Sequence, residues 1–343
     1  MRAKGITYDT GFVRHGAISR ERFDPHVAQR ELGIIRDDLH CNAVRITGGD
    51  PARLELAATS AADLGLEVWF SPYPLELTTD AMLTLFTDCA ERAERVRQRG
   101  AEVVFVVGAE LSLMNPGFLR GATAADRVAL LLNAEPDRLR ERVGELSGRV
   151  NDFLRDAVAR VRERFGGRVT YAAIPLERVN WTPFDFVSVD LYRSAEVADR
   201  YAEGVRALVA QGKPVAITEF GACTYRGAGD RGARGMGIAE YDKDTGAPIR
   251  LNGAYIRDEA GQATYLLELL EVFDAERVDS AFVFLFALDG FPHRPHGDPR
   301  DDLDLASPGI VKVLEDRHGD TYPDLPWEPK AAFTTLAEYY QRA

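Results

Sequence analysis

Short runs rich in Val, Ile, Phe and Tyr alternate along this chain with longer stretches of helical character, and the alternation repeats eight times. A strand followed by a covering helix brings the chain back to start a parallel neighbour, so such a rhythm winds one parallel sheet. The strands are expected at Gly5–Asp9, Asn42–Ile46, Leu66–Ser71, Val103–Val107, Val169–Ala173, Phe186–Asp190, Pro214–Thr218 and Ser280–Phe286. Helices are expected over Pro25–Leu39, Pro51–Leu64, Thr79–Arg99, Asp137–Phe165, Ala195–Gln211, Asp258–Phe273 and Lys330–Gln341, with a single helical turn between Pro175 and Pro183. Gly65, Gly100, Gly166 and Gly212 stand where helices should stop, because glycine accepts the left-handed conformation that closes a helix C-terminus. Eight units of this kind close into a (β/α)8 TIM barrel, and residues 1–343 are expected to form that single α/β domain.

The loops after the strands are unequal. Long ones follow strand four (Leu111–Pro136), strand seven (Ala222–Arg257) and strand eight (Ala287–Trp327). Structureless loops of this length are uncommon in compact domains and usually serve as lids or binding loops. The Gly-rich run Arg226–Gly235 reads as a mobile surface loop, with an ordered lid as the alternative. It lacks the Lys-Ser/Thr ending of a phosphate loop. In Phe291–Asp304 two histidines and four aspartates are interleaved with prolines and arginines, which suits a solvated loop better than a metal site. No metal or cofactor is expected.

A net charge of -12 opposes binding to a phosphate backbone, so nucleic acid is a poor partner. No run is long enough to span a bilayer, and the N-terminus carries no apolar leader, so a cytoplasmic protein without a membrane partner is expected. Three widely spaced cysteines, Cys41, Cys89 and Cys223, fit a reducing compartment, with Cys223 read as a buried inert thiol. Nothing in the sequence specifies an oligomeric state.

Two apolar runs end in a glutamate: Val103–Gly108 leads through Ala109 to Glu110, and Lys213-Pro214-Val215-Ala216-Ile217-Thr218 leads to Glu219. A carboxyl just past a buried strand sits at the mouth of a barrel, where ligands bind and burial can shift its pKa. Either glutamate alone could cap a helix or pair with a surface arginine. Two together suit acid/base chemistry.

At these residues the chain resembles the clan A (β/α)8 glycoside hydrolases, whose acid/base and nucleophile are glutamates after strands four and seven. The segment Lys213–Gly221 is similar to the clan's nucleophile strand. Asn42-Ala43-Val44-Arg45-Ile46 is similar to its second strand, whose arginine lies beside the nucleophile. Asp185–Tyr192 is similar to the sixth, whose tyrosine hydrogen-bonds the nucleophile. The resemblance implies Glu110 as acid/base, Glu219 as nucleophile, and Arg45 and Tyr192 as the pair that hold Glu219 ionised and low in pKa. A retaining glycosidase needs carboxyls about 5 Å apart, one charged and one protonated.

This chain departs from the clan at two places. Ala109 stands where clan members carry an asparagine that contacts the sugar 2-hydroxyl, and a clan tryptophan at the end of strand eight is replaced by Phe284 or Phe286. Asp9, at the end of strand one, could bind a hydroxyl. Tyr8, Trp69, Tyr73, Trp181, Phe286 and Phe291 are candidates for an aromatic platform under a sugar or aglycone.

The expected function is thus a retaining glycosidase acting on a small intracellular glycoside, glycosylated metabolite or oligosaccharide. One alternative is a barrel redirected to acid/base chemistry on a secondary metabolite. The other is a non-catalytic carbohydrate-binding or phage-defence barrel, since the segments around Glu110 and Glu219 also resemble bacterial barrel proteins labelled abortive infection proteins, a label that implies a role in phage defence. A Ser-His-Asp hydrolase is disfavoured, because no Gly-x-Ser-x-Gly elbow follows a strand.

Overall fold

A computed structural model describes residues 1–14, 16–132, 136–242 and 245–342. Eight parallel strands form one sheet: β1 (Ala3–Asp9), β2 (Ala43–Gly48), β3 (Glu67–Pro72), β4 (Val103–Ala109), β5 (Arg168–Ala172), β6 (Val187–Asp190), β7 (Val215–Phe220) and β8 (Ser280–Val283). Each strand pairs with its sequence neighbours, and β8 pairs with β1. The remaining seam, between β5 and β6, is joined just past β5: the Ala173 N–H donates to Ser188 O, and the Asp190 N–H donates to Ala173 O at 2.9 Å. The sheet is therefore a (β/α)8 barrel.

Among the described residues, seven helices lie around it: α1 (Pro25–Asp37), α2 (Pro51–Asp63), α3 (Thr79–Gln98), α4 (Pro136–Arg162), α5 (Tyr201–Val209), α6 (Glu259–Ala275) and α7 (Ala331–Arg342). Their starts follow from local chemistry. Asp24 and Asp50 accept backbone N–H groups of α1 and α2 ahead of Pro25 and Pro51, while Thr78 and Asp258 do the same for α3 and α6. Gly65, Gly100 and Gly212 adopt φ of 81°, 96° and 82° just past helix ends, as expected for C′ glycines. Gly166 has no positive φ, since α4 already stops at Arg162. The region read as one helix over 195–211 is a 3-10 segment, Ala195–Arg200, followed by α5.

Because both faces of the strands are covered, their sequences run apolar almost without a break. Outward residues such as Ile46, Phe70, Phe105 and Ile217 join helix residues such as Leu32, Ala58, Phe86 and Leu269 in the main core. Inward residues form a separate plug. The Trp69 ring lies 5.0 Å from Phe186 and 4.7 Å from Phe282, and Ala3, Ala43, Val104 and Ala216 fill the space around them. Large rings facing small residues are how a barrel of this size closes its lumen.

The long loops are ordered. The loop after β4 carries helices Leu111–Met114 and Ala124–Leu132. The loop after β7 carries a helical turn, Ala228–Arg231, the 3-10 segment Gly232–Ile238, and a hairpin of Ala239–Tyr241 with Pro248–Leu251. The Gly-rich run is thus part of a folded loop. Nor is 291–304 simply solvated. Arg257 Nη1 lies 2.8 Å from Asp304 and its Nη2 2.9 Å from Asp302, while buried Lys330 Nζ lies 2.8 Å from Asp304 and also donates to Thr224. These ion pairs tie the loops after β7 and β8 into one body. All three cysteines are free and buried, with the Cys223 thiol pushed up to about 12 by burial. No helix among the described residues is long and apolar enough to cross a membrane.

Asp304→Ala strands the Lys330 ammonium in the interior, and an uncompensated buried charge costs about 3–5 kcal/mol. Urea unfolding is expected to show that loss, with Asp304→Leu combined with Lys330→Met recovering most of it. A loss below about 1 kcal/mol, the range of exposed pairs, would contradict the assigned role of this network.

Candidate active site

Strict alternation along β7 would turn Ala216 and Thr218 into the lumen and Glu219 outward, under the helices. The chain avoids this with a bulge. Ile217 pairs with Val189 and Ala281, but the next pairs are Glu219 with Asp190 and Phe220 with Val283, so β7 carries one extra residue. Thr218 and Glu219 can then both face inward, and Phe220 resumes the outward face against Phe273.

β4 does the same. Val106 pairs with Thr170 and Ala109 with Ala172, with the extra residue taken up near Gly108 at φ 77°. A β-carbon on Gly108 would lie 2.8 Å from the Leu111 side chain, so glycine is required there on two counts. Glu110 itself is left-handed, with φ 46° and ψ 39°, a conformation costing a non-glycine residue about 1–2 kcal/mol.

That conformation is pinned by its neighbours. The Glu110 N–H donates to Ala172 O at 2.9 Å, the Leu111 N–H to the Tyr171 hydroxyl at 2.8 Å, and the Ser112 N–H to Glu177 Oε1 at 3.1 Å. Tyr171 donates in turn to Glu177 at 2.8 Å. Glu177 is fully buried, and burial pushes its carboxyl up to about 7 despite these donors.

At the centre lies Arg45 on β2, 1% exposed and facing the lumen. Its Nη1 donates to Thr218 O at 2.9 Å and lies 3.5 Å from Glu219 Oε2 and 3.9 Å from Asp190 Oδ1, while Nε donates to Ser71 at 3.2 Å. The Tyr192 hydroxyl donates to Glu219 Oε1 at 2.6 Å. Thr218 donates to Asp190 Oδ1 at 2.7 Å. Arg45, Tyr192, Glu219 and Asp190 therefore form one contact group, which Glu110 joins electrostatically.

Burial pushes Glu219 up to about 7, Asp190 adds repulsion, and Arg45 and Tyr192 pull in the other direction. The expectation of a Glu219 held below the usual carboxylate range is thus corrected: desolvation outweighs the arginine. Glu110 is raised well above its ordinary value, by burial first and then by the charges of Glu219 and Asp190. Glu219 has a cation and a hydroxyl to stabilise its anion, so Glu219 ionises first and its charge keeps the proton on Glu110.

Tyr73, just past β3, faces this group. Its phenol is raised by burial and by Glu110, Glu219 and Asp190, and the Phe12 ring packs edge-on against it at 5.0 Å. Phe284 is partly exposed past the end of β8. Other candidates lie elsewhere. Tyr8 faces out of the barrel and donates to Glu31 on α1 at 2.5 Å. Trp69 belongs to the plug, its indole N–H directed to Glu67 at 2.9 Å, toward the N-terminal end of the barrel. Phe286 is fully buried against Tyr8 and Trp327.

Buried packing thus explains these three aromatics, and none is retained as a substrate contact. Asp9 accepts the Gly11 N–H at 2.7 Å and is pushed up to about 7 by burial; it holds the turn after β1. Trp181 packs on Phe184, and buried Phe291 packs in the core between the β7 and β8 loops.

Sequence reading missed Asp190, Tyr171 and Glu177. Asp190 offered one signal, an acidic residue at a strand end two positions before Tyr192.

No family model and no curated protein sequence matches this chain. Solved structures do match in fold. The chain is similar to a GH113 β-1,4-mannanase, with a TM-score of 0.62 at 18% identity over 99% of both chains. The two chains share one fold over nearly their full lengths. The chain is also similar to the cellulose synthase subunit Z of Clostridioides difficile, with a TM-score of 0.52 at 11% identity over 89% of this chain and 99% of that one. An endo-1,4-β-D-mannanase from Thermotoga petrophila RKU-1 matches with a TM-score of 0.50 at 11% identity over the full length of both. At such identities the likeness is one of fold.

The Glu177 carboxyl, at about 7 in the folded protein against an ordinary 4.5, holds a proton that the unfolded chain releases between those values. Its contribution is complete below pH 4.5 and is lost as pH rises through 7, amounting to about 3 kcal/mol. Unfolding titrations from pH 4 to 8 are expected to show a shallower fall in stability for Glu177→Gln than for the parent. Superimposable pH profiles would contradict the buried, protonated Glu177.

Proposed function

We propose that this protein is a retaining glycoside hydrolase acting on a small glycoside or glycosylated metabolite, with Glu219 as nucleophile and Glu110 as acid/base. The observation that carries the reading is the asymmetry of the carboxylate pair: Glu219 contacts Arg45 and Tyr192, whereas among the described residues Glu110 has no such ion pair and is raised well above its ordinary value by burial and by the charges of Glu219 and Asp190. The barrel shared with a mannanase supports it.

In this reading the Glu219 carboxylate attacks the anomeric carbon as Glu110 gives its proton to the departing oxygen, leaving a glycosyl ester on Glu219 and an anionic Glu110. Glu110 then takes a proton from water, whose oxygen displaces Glu219, and both groups return to their starting states. Arg45 and the Tyr192 hydroxyl steady Glu219 as a leaving group in this second step. The free, buried cysteines suit work in a reducing compartment such as the cytoplasm.

Ala109 is fully buried and its side chain carries no polar atom, so the side-chain contact to a sugar 2-hydroxyl that clan members draw from asparagine does not arise here. Such contacts supply several kcal/mol in the transition state. Their absence favours substrates that do not depend on them, 2-deoxy sugars among them. A second reading, acid/base chemistry without a glycosyl ester, gains support from the high pKa of Glu219.

Glu219→Gln and Glu110→Gln are each expected to lower hydrolysis of an aryl β-glycoside by about a thousandfold or more, the scale of losing a reacting group. A 2-fluoro glycoside is expected to leave an adduct on Glu219 by peptide mass mapping. Wild-type rates in both variants would reject the assignment, and slow turnover with no adduct would favour the second reading. Ala109→Asn is expected to raise kcat/KM for 2-hydroxy over 2-deoxy aryl glycosides, and an unchanged ratio would count against the role given to Ala109.

A further inference from the structure

In an eight-stranded barrel β3 and β7 stand opposite each other, with β8, β1 and β2 along one side between them. The loops after β3 and β7 are nevertheless joined, through the loop after β1. Arg14, in a hairpin of Val13–Arg14 with Ala17–Ile18, lies 3.9 Å from Glu76 Oε1 in the β3 loop. It also lies so close to Gly246 in the β7 loop that a β-carbon there would collide with the guanidinium.

Glu76 is an anchored post. Its side chain is 6% exposed, its other oxygen pairs at 2.7 Å with the fully buried Arg127 of the β4 loop, and it accepts the Ala124 N–H at 2.8 Å. The hairpin is braced from beneath as well. The Gly49 N–H, just past β2, donates to Gly11 O at 2.9 Å, and Arg20, further along the β1 loop, pairs with Asp289 of the β8 loop at 2.8 Å. Contacts therefore run without a break around the rim over β7, β8, β1, β2, β3 and β4. The wall stands beside the chemistry, since its Phe12 packs on Tyr73, and Tyr73 faces Glu110 and Glu219.

We infer that this rim makes the site a dead-end pocket, so that the protein removes a terminal sugar unit, or a single sugar from a small aglycone, and does not cut within a polysaccharide. A polymer bound across a barrel mouth must leave on both sides of the carboxylates. Here the β1 hairpin and its two anchors stand across one half of the mouth. The inference rests on the glycosidase reading above and adds to it the mode of action.

The test uses the purified protein and β-linked oligosaccharides of two to six units, built from the sugar whose aryl β-glycoside it hydrolyses and labelled in turn at each end. The expected result is release of one terminal unit from the same end at every length, with kcat/KM changing less than threefold beyond three units. Arg14→Ala, which removes the link from the hairpin to Glu76, is expected to let internal fragments appear from the hexamer. Internal fragments from the parent protein, with rates rising with length, would overturn the dead-end pocket while leaving the glycosidase reading intact. Failure to turn over any aryl glycoside would instead overturn that reading and this inference with it.

Discussion

A guanidinium enclosed in the lumen of a barrel must be matched by nearby anions and acceptors, because the desolvation of a charge costs several kcal/mol. Arg45 is such a group, and Thr218 O, Ser71, Glu219 and Asp190 are arranged to meet it. Two carboxylates around one cation leave one negative charge in excess within a space of low polarity. Burial raises Asp190 and Glu219, with the Asp190 charge adding to the rise at Glu219, and burial followed by the charges of Glu219 and Asp190 raises Glu110.

The pair also depends on two departures from regular strand geometry. Without the extra residue in β7, alternation would set Glu219 among the helices, where Phe220 would otherwise turn inward. Without Gly108 and the left-handed Glu110, β4 could not redirect its last side chain. The strain at Glu110 is absorbed by Tyr171 on β5 and by Glu177 in the 3-10 segment just past it, which hold the following turn. Bulges beside reacting groups are a recurrent device for aiming a side chain that the pleat alone would misdirect.

The barrel was legible because fully buried parallel strands are nearly continuous apolar runs, and because Pro25, Pro51, Gly65, Gly100 and Gly212 punctuate the helices for steric reasons. Where reading ran past an element, the cause was the same apolar signal. Residues 280–286 are apolar almost throughout, yet β8 ends at Val283, because Leu285 belongs to the core between the β7 and β8 loops.

Aromatics near strand ends were the least readable residues. Tyr8, Trp69 and Tyr73 look alike in sequence, and only register decides that the first faces a helix, the second fills the lumen and the third meets the carboxylates. Order in the long loops was invisible too, since it comes from pairs such as Arg127 with Glu76 and Arg257 with Asp304, which lie 51 and 47 residues apart.

The central claim is that Glu110 and Glu219 share one electrostatic environment, with Glu219 ionising first. Carboxyl carbon-13 NMR on protein labelled at glutamate measures this directly, with each resonance assigned by its loss in Glu110→Gln or Glu219→Gln. The account predicts that Glu219 titrates near pH 7, that Glu110 titrates at higher pH, and that the Glu110 midpoint falls when Glu219 is replaced by glutamine. A Glu110 midpoint that stays in place when the Glu219 charge is removed would contradict it.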